Sequence, residues 1–214
     1  MPQLLIDVLF VVVGYLFGSL PMGVIVARLT RARDPRTVGS GRTGGTNALR
    51  AMGARRALTV GLLDIAKGMA PVGLALLAGA SALGVALSGA AAVVGAWRSL
   101  FLRFHGGRGV ATGIGALLVI QPLAVLLAAP VFFGTIIATR YVSLGSLLAA
   151  ASAVLILAAF VWLGYNNVSH LWFGVLAAAV VWLAHWDNIE RLVRGEERRI
   201  DLRARAEEHG PSQD

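Results

Sequence analysis

Seven apolar runs succeed one another along the chain, at residues 4–27, 57–79, 81–102, 110–120, 122–139, 142–163 and 168–185, with short polar connections between them. A helix of roughly 20 apolar residues spans the hydrocarbon core of a bilayer, so the pattern predicts membrane-crossing helices rather than amphipathic surface helices. The fourth and fifth runs are short. They meet at Gln121-Pro122, and a proline cannot continue a helix without losing a backbone hydrogen bond. They read either as one long kinked span or as two short spans joined by a tight turn.

The placement of arginine separates these readings. The first connection carries Arg28, Arg31, Arg33, Arg36, Arg42, Arg50, Arg55 and Arg56, later ones carry Arg103, Arg108 and Arg140, and the C-terminal stretch is basic from Arg191 onward. The connections at Ala80, at Gln121 and at residues 164–167 contain no lysine or arginine. With two short spans, every basic connection falls on one side of the membrane and every uncharged one on the other. Cytoplasmic loops of membrane proteins carry the excess of positive charge. The expectation is therefore an all-α polytopic membrane protein with seven transmembrane helices, N-terminus outside and C-terminus cytoplasmic. Residues 1–195 form one helical membrane domain, and residues 196–214 a polar, charged tail read as a solvated helix that frays.

Composition agrees. Of the 214 residues, 57% are hydrophobic and 14% charged, with a mean hydropathy of +0.75, whereas a soluble domain is about a quarter charged. The absence of cysteine excludes disulfides, thiolate catalysis and cysteine-ligated metal, and no metal site is expected. The net charge of +8 fits attraction to anionic lipid headgroups. Nucleic acid is not expected as a partner, because no basic stripe is interleaved with base-stacking aromatics. The 26 glycines fit close helix packing.

Polar groups beside apolar spans are costly and mark function by default, and four clusters of them stand out. Residues 38–50 are rich in glycine, which frees backbone N–H groups to turn toward an anion. Ser40, Thr46 and Asn47 add neutral donors there, and Arg50 a guanidinium suited to phosphate. Asp64 and Lys67, three apart on one helix face, can pair, and Lys67 is the only lysine in the chain. Residues 104–112, with Gly106, Gly107, Arg108 and Gly109, form a glycine-rich turn entering a helix, a ready anion site. His185 and Asn188 lie where the last run ends, and a histidine titrates near neutrality. On the seven-span topology all four clusters face the cytoplasm. They suggest a phosphate-bearing substrate met at the membrane surface, by an enzyme or by a binder of phosphorylated lipid precursors.

These residues also resemble a known family. Gly18, Ser19, Leu20, Pro21, Met22 and Gly23 come first, followed by Ser40-Gly41, Thr46-Asn47, Arg50, and Asp64 with Lys67-Gly68. Gly106-Gly107-Arg108-Gly109, His185, Asn188 and Arg191 then complete a pattern similar, in order, to the bacterial acyl-phosphate:glycerol-3-phosphate acyltransferases, often called PlsY. The resemblance implies seven spans in the bacterial cell membrane and a monomer without cofactor. It implies transfer of a fatty acyl group from acyl phosphate to the 1-hydroxyl of glycerol 3-phosphate, giving lysophosphatidic acid and phosphate. By the same resemblance, Ser40, Gly41, Thr46, Asn47 and Arg50 hold a substrate phosphate, with Gly106, Gly107, Arg108 and Gly109 beside them. Lys67 balances charge, and His185 and Asn188 bind glycerol 3-phosphate. The chain departs from the pattern at Ala96 and Ser99, where the family usually has histidine and proline, at Arg108, usually lysine, at Arg42, usually asparagine, and at Gly45, commonly alanine. The alternative is a divergent non-catalytic or regulatory paralogue that keeps the fold and binds such precursors. A transporter would show internal repeats, and none is found.

Overall fold

Pro21 breaks the first apolar run. It cannot donate to the helix and pushes Leu20 out of the helical region (φ −58°, ψ 120°). In the computed structural model, which describes residues 2–200, α1 (Gln3–Ser19) therefore gives way to α2 (Met22–Leu29), turned by 44°. The remaining helices are α3 (Gly45–Leu77), α4 (Ala82–Trp97), α5 (Val110–Ile120), α6 (Pro122–Thr139), α7 (Val142–Trp162), α8 (Val168–Ala184) and α9 (Trp186–Val193). Short 3-10 turns at Pro35–Thr37 and Leu100–Leu102 complete the described elements.

Two boundaries differ from the apolar pattern. The α3 helix begins at Gly45, inside what reads as a glycine loop, and breaks at Gly53 (φ 79°, ψ 175°), where a residue with a Cβ would be strained. The helix of the last run does not stop with it: beyond His185 the chain bends by 61° and continues as α9. The stretches Gly45–Leu77, Ala82–Leu102, Pro122–Thr139 and Val142–Trp162 are long and apolar enough to cross a membrane, and the two bent pairs bring the number to six. The eleven-residue α5 is about 16 Å long, half the hydrocarbon thickness.

Hydrogen bonds between connections fix which ends lie together. Gln3 donates to the Gly79 carbonyl and Asp7 accepts from Ser81, so the start of α1 meets the α3–α4 turn. Gln121 donates to Asn166 at 2.6 Å, which joins the α5–α6 turn to the α7–α8 loop. At the opposite end, Ser143 and Asn188 both bond Glu197. Thus α5 runs away from this second end and α6 returns to it, as two helices of opposite direction rather than one kinked rod.

Small residues draw the helices together. A Cβ on Gly14 or Gly18 of α1 would strike the backbone of Ser88 or Ala92 on α4, and one on Gly95 would strike Tyr15. Likewise Gly68 of α3 and Gly115 of α5 lie against the backbones of Thr112 and Ile65. Close approach of this kind replaces the hydrophobic effect where lipid is the solvent. Helix α4 is the most enclosed of the spanning stretches at 56% buried, against 11% for α6. Large apolar side chains such as Leu77, Leu126, Ile137 and Leu155 stand outward, a surface that only a bilayer solvates.

Replacing Gly18 by leucine is expected to force α1 away from α4 and cost about 1–3 kcal/mol as overpacking. Thermal unfolding in detergent should show a lowered midpoint, whereas Gly73→Leu, where a Cβ meets nothing, should leave it near that of the unaltered protein.

Candidate functional site

The turn that enters α5 lies against the start of α3, with Gly107 beside Thr43 and Gly44, and a polar cavity of about 230 Å³ opens there. Residues from all four sequence clusters line it: Ser40, Thr46, Asn47 and Arg50; Asp64 and Lys67; Gly107, Arg108 and Gly109; His185 and Asn188. Gly41 and Gly106 are not part of its wall.

Two helix N-termini reach the cavity. The first N–H groups of a helix have no partner within it, and those of Gly45 and Thr46 on α3 and of Val110, Ala111 and Thr112 on α5 belong to residues of the cavity wall. Gly109 caps α5 in the left-handed conformation (φ 78°) with its α-carbon against Val93, a place where a Cβ would collide. Such N-termini attract anions by free donors and by the helix dipole.

The expected roles of four residues need correcting. Asn47 does not offer its amide to a ligand. Its Nδ2 donates to the carbonyls of Pro35, Val38 and Arg42 and its Oδ1 accepts from Ser40 N, so the side chain is consumed in shaping the loop. Gly106 N and Gly107 N donate to the carbonyls of Trp97 and Ala96, and these two glycines bind the turn to the end of α4 rather than to an anion. Gly41, with φ 67°, shapes the loop from outside the cavity.

Lys67 is 7% exposed, its ammonium 2.8 Å from both Asp64 Oδ1 and the Leu20 carbonyl. At the break before Pro21 this carbonyl leaves the helical ladder and accepts from Met22 N as well as from the lysine. The lysine thereby ties α3 to the α1–α2 bend and keeps one proton toward the cavity. Arg50 lies exposed over Gly39, whose positive φ (54°) and missing Cβ leave room for the guanidinium.

A chain of charged groups closes the other wall. Arg108 Nη2 donates to Asp187 at 3.0 Å, Arg191 donates to the same carboxylate oxygen at 3.3 Å, and Arg191 Nε donates to Glu197 at 2.8 Å. Glu197 also accepts from Asn188 Nδ2 at 2.6 Å and from Ser143 Oγ at 2.8 Å. The side chain of Glu197 is 5% exposed, so the tail expected to be solvated from residue 196 is in fact packed into the site at its start; residues 201–214 lie outside the described region. Burial lowers the pKa of Arg108 and the adjoining Asp187 carboxylate opposes that shift.

The wall geometry fixes polarity. A carboxylate only accepts, so Asn188 turns its NH₂ to Glu197 and presents Oδ1, buried and unpaired, to the cavity. An amide oxygen repels phosphate and accepts from a hydroxyl. His185 Nδ1 lies 2.8 Å from the Val181 carbonyl and must donate to it, which leaves Nε2 as an acceptor. Ser40 Oγ and Arg108 Nε are likewise buried without partners among the described residues. Asp187, Glu197 and Ser143 were not singled out from the sequence, since no spacing connects them.

Behind the polar cavity lies an apolar one of about 310 Å³, enclosed by α5, α6, α7 and α8. The two share Val110, Ile114, Phe132 and Ser146. A cavity lined by helix N-termini and cationic side chains, sharing part of its wall with an apolar chamber, has the two compartments that a phosphate-bearing amphiphile requires.

Comparison with known proteins specifies the class. The chain matches the model of the "Glycerol-3-phosphate acyltransferase" family over residues 8–195. It is 42% identical to a glycerol-3-phosphate acyltransferase of Anaeromyxobacter sp. over 94% of this chain and 99% of that one, and 43% identical to one of Thermus thermophilus over 90% and 94%. Crystal structures of PlsY, an integral membrane glycerol 3-phosphate acyltransferase, are similar: the glycerol 3-phosphate form with a TM-score of 0.83 at 34% identity over 91% and 96% of the two chains, and the lysophosphatidic acid form with 0.80 at 32% over 91% and 95%. The chain belongs to the glycerol-3-phosphate acyltransferase family, and is a multi-pass membrane protein.

Asn47→Ala is expected to strip three carbonyls and one N–H of their partner and to cost about 1–3 kcal/mol. Lowered thermal stability, together with faster proteolysis between Pro35 and Gly45, would report it.

Proposed function

We propose that the protein transfers a fatty acyl group from acyl phosphate to the 1-hydroxyl of glycerol 3-phosphate. The acyl carbon–oxygen bond to phosphate breaks as the hydroxyl oxygen attacks, and the products are lysophosphatidic acid and inorganic phosphate. The observation that carries this reading is the wall the two cavities share: phosphate and apolar chain need adjoining compartments, and the reacting carbonyl falls where they meet.

An acyl phosphate already carries a good leaving group, so positioning and charge stabilisation supply most of the catalysis. The open N–H groups at the starts of α3 and α5, Ser40 Oγ, Arg50 and Arg108 Nε hold substrate phosphate, and Lys67 balances the developing charge. Asn188 Oδ1 and His185 Nε2, the two acceptors, face the glycerol hydroxyls and orient the attacking oxygen. Thr46 and Gly109 contribute through their backbone. In this reading the protein acts as a monomer and without a cofactor.

The same reading orients the protein in the bacterial cell membrane, with seven spans, the N-terminus outside and the site facing the cytoplasm. The site end carries Arg28, Arg36, Arg50, Arg108, Arg140 and Arg191, while the turns at Ala80, Gln121 and residues 164–167 have no basic residue. Helix α5, too short to cross alone, is tolerated because its N-terminus ends in the water-filled cavity rather than in lipid.

The purified protein in lipid mesophase, given acyl phosphate and glycerol 3-phosphate, is expected to release phosphate and form lysophosphatidic acid. Binding of glycerol 3-phosphate without release would favour the non-catalytic paralogue instead. Arg50→Ala should lower kcat/KM at least about a hundredfold with little change in stability, since the side chain is exposed; near-normal turnover would remove Arg50 from the site. Arg108 uses Nη2 for Asp187 and keeps Nε for substrate, a division that a single ammonium cannot reproduce. Arg108→Lys should therefore raise a substrate KM about tenfold, and an unchanged KM would count against that division.

A further inference from the structure

The apolar cavity has a definite far end. On α7 its wall runs from Ser146, shared with the polar cavity, through Ala150 and Ala153 to Leu157. Eleven residues of helix separate Ser146 from Leu157, roughly 16 Å at the helical rise. That is the depth of one leaflet of acyl chain, half of a hydrocarbon core of roughly 30 Å. On α8 the wall likewise leads from Val181, one turn before His185, to Phe173.

Protein, not lipid, closes this end. Leu157 is 0% and Phe173 2% exposed. Neither side chain can retreat. A Cβ on Gly174 would lie 2.7 Å from Leu157 Cδ1, so α7 and α8 already touch there, and the Phe173 ring rests on Gly89 of α4, 3.0 Å from where a Cβ would stand. The α6 flank, by contrast, includes Phe133, which is 59% exposed and marks the side facing lipid.

We propose that Leu157 and Phe173 set the length of acyl chain the enzyme accepts, by stopping the terminal methyl group at the end of the cavity. The proposal rests on reading this cavity as the acyl site. Ala153, half-buried and one turn nearer the polar cavity, leaves the last segment open; a larger side chain there moves the stop toward the reacting carbonyl.

The test compares kcat/KM for a series of saturated acyl phosphates, short to long, with glycerol 3-phosphate as acceptor. Ala153→Leu is expected to lower the ratio of long-chain to short-chain kcat/KM by about tenfold or more, the scale at which one methylene is discriminated in an apolar pocket, with the KM for glycerol 3-phosphate unchanged. Leu157→Ala is expected to shift the optimum to longer chains; should that core variant fail to fold, Ala153→Leu decides the matter. Length profiles that coincide with that of the unaltered protein would overturn the proposal, the chain then leaving through the α6 flank. If the unaltered protein transfers no acyl group from any member of the series, the acyl-site reading itself falls, and the proposal with it.

Discussion

Two helix backbones touch where α3 meets α5, because Gly68 and Gly115 carry no side chain and Thr112 and Ile65 press into the space. No other pair of side chains permits that approach, and the site depends on it. The contact carries Lys67, one residue before Gly68, to the cavity wall. The start of α3, beyond the break at Gly53, lies instead beside the turn into α5, where Gly107 adjoins Thr43 and Gly44, so that two sets of unpartnered N–H groups and two partial positive charges share one cavity. A methyl group on Gly68 would push α3 from α5 and draw Lys67 away from that cavity.

The lysine solves a second constraint. An ammonium at this depth needs partners that neutralise it and fill its protons, and the desolvation cost of a buried pair is offset only by good geometry and further hydrogen bonds. Asp64 supplies the charge and the Leu20 carbonyl the extra acceptor. Where Pro21 interrupts α1, that carbonyl is released from the helical ladder and serves both Met22 N and the lysine. A helix break that reads as a packing irregularity is thus part of the electrostatics of the site.

The opposite wall works by the fixed polarity of Glu197. One carboxylate receives Arg191, Ser143 and Asn188, and each of those donors is thereby turned in a known direction. The consequence is an uncharged acceptor, Asn188 Oδ1, with no partner among the described residues, in a cavity whose wall also carries Arg50, Lys67 and Arg108. A phosphate is repelled from that corner and a hydroxyl is drawn to it, which separates the two ends of a molecule such as glycerol 3-phosphate without any change of shape. Ser99 has a related structural role at the family's usual proline position: it donates to the Ser19 carbonyl and anchors the exit of α4 to that of α1. Ala96 leaves its place in the wall open.

The sequence by itself determined that the chain is a bundle of apolar helices and where several of them lie, because a hydrophobic run is a local quantity that the solvent reads residue by residue. Helices α5 and α6 start and stop where the apolar runs do, at Val110, Ile120, Pro122 and Thr139, and the four polar clusters that it marked do meet. Only the tertiary structure decided which atoms within them are free. Asn47 and Gly107 sit in the cavity wall yet spend their donors on the protein, whereas Glu197, in a stretch that reads as a solvated tail, fixes the orientation of Asn188 in that wall. Local pattern tells what a residue can donate or accept. Which partner takes it depends on backbone atoms far along the chain, brought near by glycines whose function is to be absent as side chains.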